Sequence, residues 1–141
     1  MGALATYFDS SALVKLFIAE PGWDQARRLW DESETMSSWV AFPETRSALE
    51  AAHRAGRIGR GRLLQALGEL DEHWSELVAV KVDDQVARAA GALTHRHLLR
   101  GGDAIHLASA MEVSDPELVF VAWDDALRKA ARDEGLAVAP A

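Results

Sequence analysis

Apolar residues follow two patterns along the chain, short continuous runs and repeats at helical spacing. The first run, residues 4–8, is rich in strand-forming side chains and ends abruptly at Asp9. Residues 10–19 then repeat apolar positions every three or four residues, which predicts a helix that ends at Pro21-Gly22. Further strands are predicted over residues 35–39, 77–82, 118–122 and 136–138. Further helices are predicted over residues 23–33, 43–56, 63–77, 103–111 and 124–134, and one more begins at Asp83 or Asp84.

This alternation of strands and helices defines the expected fold class. Strands separated by helices pair in parallel through right-handed crossovers, and the helices then cover both faces of the sheet. The sequence therefore predicts an α/β protein, a three-layer α/β/α sandwich with a central, mostly parallel five-stranded sheet. Its length predicts a single domain over residues 1–141.

Four acidic residues are predicted to converge on one edge of this sheet. Asp9 ends the first strand, Glu44 opens the helix after the second strand, and Asp124 directly follows the fourth. Asp103 opens a nearly all-apolar helix behind a predicted Gly101-Gly102 hinge, which lets it reach the same edge. The carboxyl ends of parallel strands are where such folds bind their ligands.

A cation explains this convergence better than helix capping does. Any one of the four acids is a reasonable helix cap or first-turn residue. Together, however, unpaired carboxylates repel one another and raise one another's pKa values. Mg²⁺ and Mn²⁺ prefer oxygen ligands and are held by a few carboxylates while they keep several waters. The sequence therefore predicts a site for Mg²⁺ or Mn²⁺.

Composition narrows the class of protein. The chain has no cysteine, which excludes a disulfide framework and a thiolate metal site. Its formal charge of −7 argues against a nucleic-acid binder that works through bulk positive potential, but not against one whose acids surround a cation. The N-terminus lacks a basic region before a long apolar stretch, and no segment approaches the roughly 18 apolar residues of a membrane span. We therefore expect a cytoplasmic protein.

Four blocks of the sequence, in the same order and over almost the whole chain, resemble a PIN domain. These blocks are Phe8-Asp9-Ser10-Ser11-Ala12-Leu13, Pro43-Glu44, Gly102-Asp103-Ala104-Ile105-His106-Leu107-Ala108-Ser109-Ala110, and Val121-Ala122-Trp123-Asp124 followed by Leu127, Ala131 and Gly135. The short length and the Asp-Ala-Ile-His-Leu-Ala segment resemble the VapC toxins of bacterial and archaeal toxin–antitoxin pairs.

The resemblance implies a Mg²⁺- or Mn²⁺-dependent endoribonuclease whose products carry 5′-phosphate and 3′-hydroxyl ends. The acidic quartet of the family maps onto Asp9, Glu44, Asp103 and Asp124, with one or two metal ions held by Asp9, Asp103 and either Asp124 or Glu44. The resemblance also implies a homodimer, an RNA substrate, and a cognate antitoxin whose C-terminal segment covers the active site.

Some details of the quartet remain open. The family often has Ser or Thr at the position of Ala122, and Asp125 doubles the last acid, so Asp124 and Asp125 both remain candidates. Ser11 is equally consistent with capping a helix and with supporting a carboxylate or a metal-bound water. His106 lies on the same side of its helix as Asp103, and we expect it to be structural rather than an acid–base catalyst.

Positive charge is concentrated in two stretches, around the glycine-broken turn after the third helix and just before Asp103. Such runs are commonly solvated faces. Their functional interpretation is a track for RNA phosphates beside the acids, or a contact surface for an antitoxin. The candidate RNA-binding residues are Arg46, Arg57, Arg60 and Arg100.

Three other classes of protein share parts of this pattern. A phosphoacceptor signalling domain needs an acidic pair after strand one and a lysine near the last strand, whereas here one acid is present and Lys129 is mid-helix. A haloacid-dehalogenase phosphatase needs a second Asp two residues after the first, where this chain has Ser11. The remaining alternative is a catalytically inactive PIN-fold module that binds RNA or protein. Its mark would be a broken quartet, and all four acids are present.

Overall fold

Five parallel strands form the central sheet of the structure, a computed structural model that describes residues 4–141. Residues 1–3, with which the predicted domain begins, lie outside the described part. The strands are β1 (Leu4–Phe8), β2 (Ser33–Ser38), β3 (Val78–Val80), β4 (Val119–Val121) and β5 (Ala137–Ala139). They lie in the order β3-β2-β1-β4-β5, and every neighbouring pair is parallel. The predicted five-stranded parallel sheet is confirmed.

The described residues form helices that cover the sheet in two layers. The helices are α1 (Ser10–Val14), α2 (Trp23–Asp31), α3 (Ala41–Arg54), α4 (Arg60–Glu76), α5 (Asp84–Arg96), α6 (Gly101–Glu112) and α7 (Asp125–Asp133). Helices α1 to α4 pack with Phe8 and Val121 on one face, and α5 to α7 pack with Tyr7 and Phe120 on the other. Because successive strand residues point to opposite faces, each central strand contributes to both clusters. The predicted α/β/α layering is therefore confirmed.

The middle of the sheet is fully buried. Tyr7 and Phe8 of β1 are both 0% exposed. The ring of Tyr7 stacks on Phe120 of the adjacent β4, with centroids 5.3 Å apart, and Phe8 meets the edge of Trp30 at 5.9 Å. A parallel strand covered by helices on both faces is expected to be largely apolar, and the hydroxyl of buried Thr6, the polar exception in β1, pairs with that of Thr35 at 3.3 Å. The carboxyl end of β1, and with it Asp9, is therefore held in a rigid frame.

Helix α1 is shorter than predicted. The apolar spacing predicted a helix to residue 19, but α1 ends at Val14 and the chain continues in tight turns in which the Leu16 and Phe17 N–H groups bond three residues back. Arg27 and Arg62 donate to the carbonyl oxygens of Leu16 and Phe17, at 2.8 and 2.6 Å. In a longer helix these carbonyl oxygens would accept hydrogen bonds from backbone N–H groups. Here the two arginines, which belong to other helices, donate the hydrogen bonds instead.

Three other helices begin earlier than predicted, α3 and α6 by two residues and α4 by three. The predicted Gly101-Gly102 hinge is wrong, because both glycines belong to the first turn of α6. Helix α3 begins at Ala41, so that Pro43 lies inside its first turn. Proline is tolerated there because the first N–H groups of a helix have no partner within the helix. Within residues 4–141, no helix is both long and apolar enough to cross a membrane.

Candidate active site

Asp9 is the buried acid at the centre of the carboxyl edge of the sheet. Its backbone N–H donates to the carbonyl oxygen of Val121, which ties the end of β1 to β4. Its side-chain Oδ1 accepts from the Ala12 N–H at 2.9 Å and from the Ser11 hydroxyl at 2.7 Å. Asp9 therefore caps α1, and Ser11 supports the carboxylate rather than capping the helix itself. No hydrogen bond from a described residue reaches Oδ2, which leaves that oxygen available for a ligand.

Asp103 links the four acids electrostatically. It lies in the first turn of α6 and is half-buried. Burial raises its pKa, and the nearby carboxylates of Asp124 and Glu44 raise it further. Asp9 behaves in the same way: burial raises its pKa, and the charge of Asp103 adds to the effect. The structure therefore brings Asp103 within electrostatic reach of each of the other three acids, and the positive charges of His106 and Arg100 offset only part of the effect on its pKa.

Asp124 is the outermost member of the quartet. It is the exposed N-cap of α7 and accepts a hydrogen bond from the Leu127 N–H at 2.9 Å. Asp125, the other candidate for the fourth acid, is the first residue inside α7. Among the neighbouring acids, Asp124 raises the pKa of Asp103 the most. This electrostatic contact favours Asp124 as the fourth member.

Glu44 is held by a buried chain of hydrogen bonds. Its Oε1 lies 2.7 Å from Nε2 of His106, and Nδ1 of His106 lies 2.8 Å from the Tyr7 hydroxyl. His106 is 1% exposed, whereas the Glu44 side chain is 37% exposed. Burial opposes ionisation of Glu44, but the hydrogen bond and the charge of His106, together with Ser10, outweigh it and lower the Glu44 pKa. Glu44 is therefore an ionised carboxylate anchored at one oxygen.

The other oxygen of Glu44 lies against Gly102. A Cβ atom placed on Gly102 would come within 3.0 Å of Oε2 of Glu44. Gly102 directly precedes Asp103, so α6 makes three contributions to the site. Asp103 is one of the acids, Gly102 leaves space for the Glu44 carboxylate, and His106 anchors that carboxylate. The sequence predicted a structural role for His106, gave no role to Tyr7, and assigned Gly102 to a hinge rather than to a position against a carboxylate. The one signal for this arrangement was the spacing that puts His106 and Asp103 on the same side of α6.

The donor set has the chemistry of a magnesium site, although its side chains are not gathered tightly. Among residues 4–141, no group of three histidine or acidic side chains is arranged to hold one ion. Mg²⁺ is commonly held by only one or two carboxylates, with waters completing its shell. Asp9, with an unbonded oxygen, and Asp103, whose charge is not balanced by a close ion pair, fit that requirement. Asp124 lies on the exposed side of the same edge.

The predicted RNA-binding arginines fall in two places. Arg100 is the residue before α6, and its positive charge acts on Asp103. Arg46 lies on α3, two residues after Glu44. Arg57 and Arg60 are exposed at the turn between α3 and α4, about 15 Å of helix away from Glu44 at 1.5 Å per residue. The structure therefore places Arg100 beside Asp103 and puts Arg57 and Arg60 at a distance, whereas Arg46, two residues after Glu44, faces a different side of α3.

An open groove begins at the acids. It has a volume of about 540 Å³, and Glu44 and Ser10 line it together with Ser47, Ala48 and Ala51 of α3. A larger cleft of about 640 Å³ lies at the opposite edge, where β2 and β3 begin. That cleft contains none of the predicted site residues. The groove along α3 is the better candidate for a substrate channel because it opens directly onto the quartet.

Ionisation of the buried Asp9 side chain at neutral pH should lower the free energy of unfolding when no metal is present. Burial raises the pKa of Asp9, so the folded protein binds the Asp9 proton more tightly than the unfolded chain does. The resulting contribution to the free energy of unfolding is complete below the unfolded pKa, about 3.9, and is lost as pH rises through the folded pKa. We expect Asp9→Asn, which keeps Oδ1 as an acceptor, to be more stable than the wild type at pH 7 in EDTA. The gain should disappear near pH 3.

Urea unfolding at the two pH values measures this difference. Asp83→Asn is the matched control, because exposed Asp83 caps α5 through the same 2.9 Å bond and lies outside the quartet. It should change stability little, since Asn and Asp cap helices about equally well. An Asp9→Asn protein that is less stable than the wild type at pH 7 would contradict the electrostatic interpretation of the site.

Comparison with known proteins agrees with this geometry. The family model described as "PIN domain" matches residues 6–133. Ribonuclease VapC49 of Mycobacterium tuberculosis is 43% identical over 136 residues, which cover 96% of this chain and 94% of that protein. Ribonuclease VapC46 of the same species is 38% identical over 139 residues, with 95% of each chain covered.

A solved structure shows the same fold at low sequence identity. The VapBC2 structure from Rickettsia felis, which is bound to a DNA fragment from its promoter, matches with a TM-score of 0.65 and 13% identity over 95% of this chain and 96% of that one. At that identity the likeness concerns the fold alone. The family model and the mycobacterial relatives establish the relationship: this chain belongs to the PIN-domain family and, within it, to the VapC group.

Proposed function

We propose that this protein is a Mg²⁺- or Mn²⁺-dependent endoribonuclease and the toxin of a toxin–antitoxin pair. The observation that carries the proposal is the convergence of Asp9, Glu44, Asp103 and Asp124 on the carboxyl edge of the sheet. Relatives up to 43% identical over nearly the whole chain are named ribonucleases, which supports RNA as the substrate. The intact quartet argues against an inactive binding module.

Asp9 and Asp103, with Asp124, are the residues that would hold the ion. A bound Mg²⁺ or Mn²⁺ would lower the pKa of a water molecule and neutralise charge on the phosphodiester. The buried Asp9 carboxylate is fixed by Ser11 and Ala12, so it reaches the ion without rearrangement. Glu44 presents its unanchored oxygen at the same edge, where its negative charge would strengthen binding of the cation and its oxygen would orient a water for in-line attack on phosphorus.

The proposed partners follow from the same relationship. The VapBC2 structure and a toxin–antitoxin complex from Klebsiella pneumoniae have the fold of this chain, the latter with a TM-score of 0.64 and 19% identity. We propose that this chain binds a cognate antitoxin that covers the acidic edge. We also propose that it forms a homodimer. The negative edge needs a positively charged antitoxin segment, whose arginine or lysine side chains would occupy the place of the cation.

Cleavage of RNA by the purified protein tests the proposed activity. We expect total transfer and ribosomal RNA to be cut in Mg²⁺ or Mn²⁺, to be spared in EDTA, and to be cut again when Mn²⁺ is restored in excess. Cleavage that persists in EDTA would contradict metal dependence. A wild-type protein that binds RNA and Mn²⁺ but cuts none of these RNAs would favour the inactive binding module.

The arginines at the turn between α3 and α4 are expected to contribute salt-dependent binding. Arg57→Glu with Arg60→Glu should weaken RNA binding and reduce the slope of log affinity against log salt by about 1 to 2, since each lost phosphate contact removes roughly 0.7 to 0.9. Arg88→Glu is the matched control, because exposed Arg88 lies on α5 and pairs with Asp84. Equal salt slopes for the wild type and the double variant would exclude a phosphate track at this turn.

A further inference from the structure

The anchoring of Glu44 is asymmetric. One oxygen, Oε1, is bonded to a buried histidine, and the other, Oε2, lies over Gly102 beside Asp103. A glutamate side chain on an exposed helix face normally samples several rotamers, and ordering it costs conformational entropy. Here the exposed carboxylate is tied to a residue that is itself 1% exposed. The position of Glu44 is therefore set by α6 rather than by its own helix, α3.

His106 is fixed in turn by its other nitrogen. The Tyr7 hydroxyl lies 2.8 Å from Nδ1, and the two rings meet edge to face at 5.9 Å. Tyr7 is 0% exposed and stacks on Phe120, so it cannot follow a moving histidine. Nε2 carries a hydrogen both in the protonated ring and in the tautomer whose Nδ1 accepts from Tyr7. Nε2 therefore donates to Glu44 in both forms, a proton assignment that follows from the hydrogen-bond pattern.

The network leaves His106 without another partner among the described residues. A buried donor that loses its acceptor pays its full desolvation cost, so Glu44 cannot leave Nε2 freely. Because the single bond to Oε1 leaves Oε2 uncommitted, the anchor orients the carboxylate without occupying both of its oxygens. The conformation of Glu44 is thus fixed before any ligand arrives.

We propose that His106 is a positioning residue that, held by Tyr7, directs the free oxygen of Glu44 towards the cation-binding edge. The proposal rests on the proposed metal-dependent function. It assigns His106 neither to the ion nor to the substrate: its effect is transmitted through Glu44. Residues that orient metal-site carboxylates through hydrogen bonds commonly change metal affinity or activity 10- to 100-fold when replaced.

Manganese affinity, measured by calorimetric titration of the folded protein, tests this role directly. We expect His106→Leu to weaken Mn²⁺ binding about 10-fold or more, and His106→Gln, which restores an N–H donor, to recover most of the loss. His97→Leu is the matched control, because Nε2 of His97 makes a 2.7 Å bond to Glu134 away from the acids. It should leave Mn²⁺ affinity within about twofold of the wild type.

A double-mutant cycle separates positioning from general packing. In a Glu44→Gln background, His106→Leu should change Mn²⁺ affinity less than twofold, because the carboxylate through which His106 acts is absent. An equal loss in both backgrounds, or unchanged affinity in His106→Leu alone, would overturn the proposal. Should His106→Leu fail to fold, Tyr7→Phe keeps the aromatic stacking and removes the hydroxyl. It should weaken Mn²⁺ binding about threefold, and unchanged affinity would again overturn the proposal.

The same titrations distinguish this proposal from the proposed function. Wild-type protein that binds no Mn²⁺ contradicts the metal-dependent function, and the role of His106 falls with it. Wild-type protein that binds Mn²⁺ while His106→Leu binds it equally well contradicts only the role of His106. Protein that shows the predicted Mn²⁺ pattern but cuts no RNA contradicts the nuclease and leaves the positioning role standing.

Discussion

Replacing Asp103 by Asn should abolish metal-dependent RNA cleavage, with a loss of at least about 100-fold. Asp103 is the acid whose charge interacts with the other three, so the substitution removes a proposed metal ligand and the centre of the negative edge together. Removal of a metal-site carboxylate removes transition-state stabilisation worth about 1.4 kcal/mol for each tenfold loss in rate. The measurement is the rate of RNA cleavage in Mg²⁺ under single-turnover conditions.

The fold should survive this substitution. Asn has the size of Asp, and burial and repulsion raise the Asp103 pKa, so the folded protein does not depend on its charge. Asp84→Asn is the matched control, because Asp84 also lies in the first turn of its helix but is exposed on α5. It should cleave RNA at the wild-type rate. A folded Asp103→Asn protein with undiminished cleavage would place the active site elsewhere.

Gly22→Ala should reduce the free energy of unfolding by about 2–4 kcal/mol. Gly22 has a φ of +93°, and a Cβ atom there would come within 2.7–2.9 Å of the Trp123 indole. The left-handed backbone costs a side-chain-bearing residue about 1–2 kcal/mol, and overpacking typically adds 1–3 kcal/mol. The indole has limited freedom to yield, because it is partly buried and packs against the apolar cluster of α1 to α4. Urea unfolding monitors the loss.

Trp123 directly precedes Asp124, so this substitution should also weaken Mn²⁺ binding by moving the fourth acid. Gly68→Ala is the matched control, since Gly68 lies within α4 and a Cβ there meets nothing within 4 Å. It should stabilise the protein by about 0.5–1 kcal/mol, because alanine is the better helix former. Equal stability of Gly22→Ala and the wild type would mean that Trp123 moves aside at no cost.

The elements of the fold were predictable because most of them carry their own signal. Strand β1 is an apolar run that ends at Asp9, and α4 has a clear apolar stripe. Strand β2, in contrast, begins two residues earlier than predicted, because Ser33 and Glu34 are polar and give no strand pattern. Their pairing is imposed by β1, in which Leu4 and Ala5 lie opposite them. A strand whose boundary is set by its neighbour cannot be delimited from its own residues.

The same distinction applies to the site. Asp9 and Asp124 were predictable because Asp9 directly follows β1 and Asp124 lies three residues after the end of β4, and strand ends of a parallel sheet share an edge. The contact between Glu44 and His106 joins two helices that are 62 positions apart in the sequence. No local pattern indicates which residue of α3 faces which residue of α6. The acids were therefore predictable as a group, whereas the hydrogen bonds that orient them required the packed structure.

The position of β1 between β2 and β4 also affects how the site forms during translation. β1 leaves the ribosome more than 100 residues before β4, the neighbour that accepts the hydrogen bond from the Asp9 N–H. Contacts between such distant segments form late, because the intervening chain must first be made and ordered. A nascent chain, or a fragment that stops before β4, cannot assemble the four acids. The acidic edge is thus completed only after β4 has been made, so a shorter nascent chain lacks the assembled site that the proposed nuclease requires.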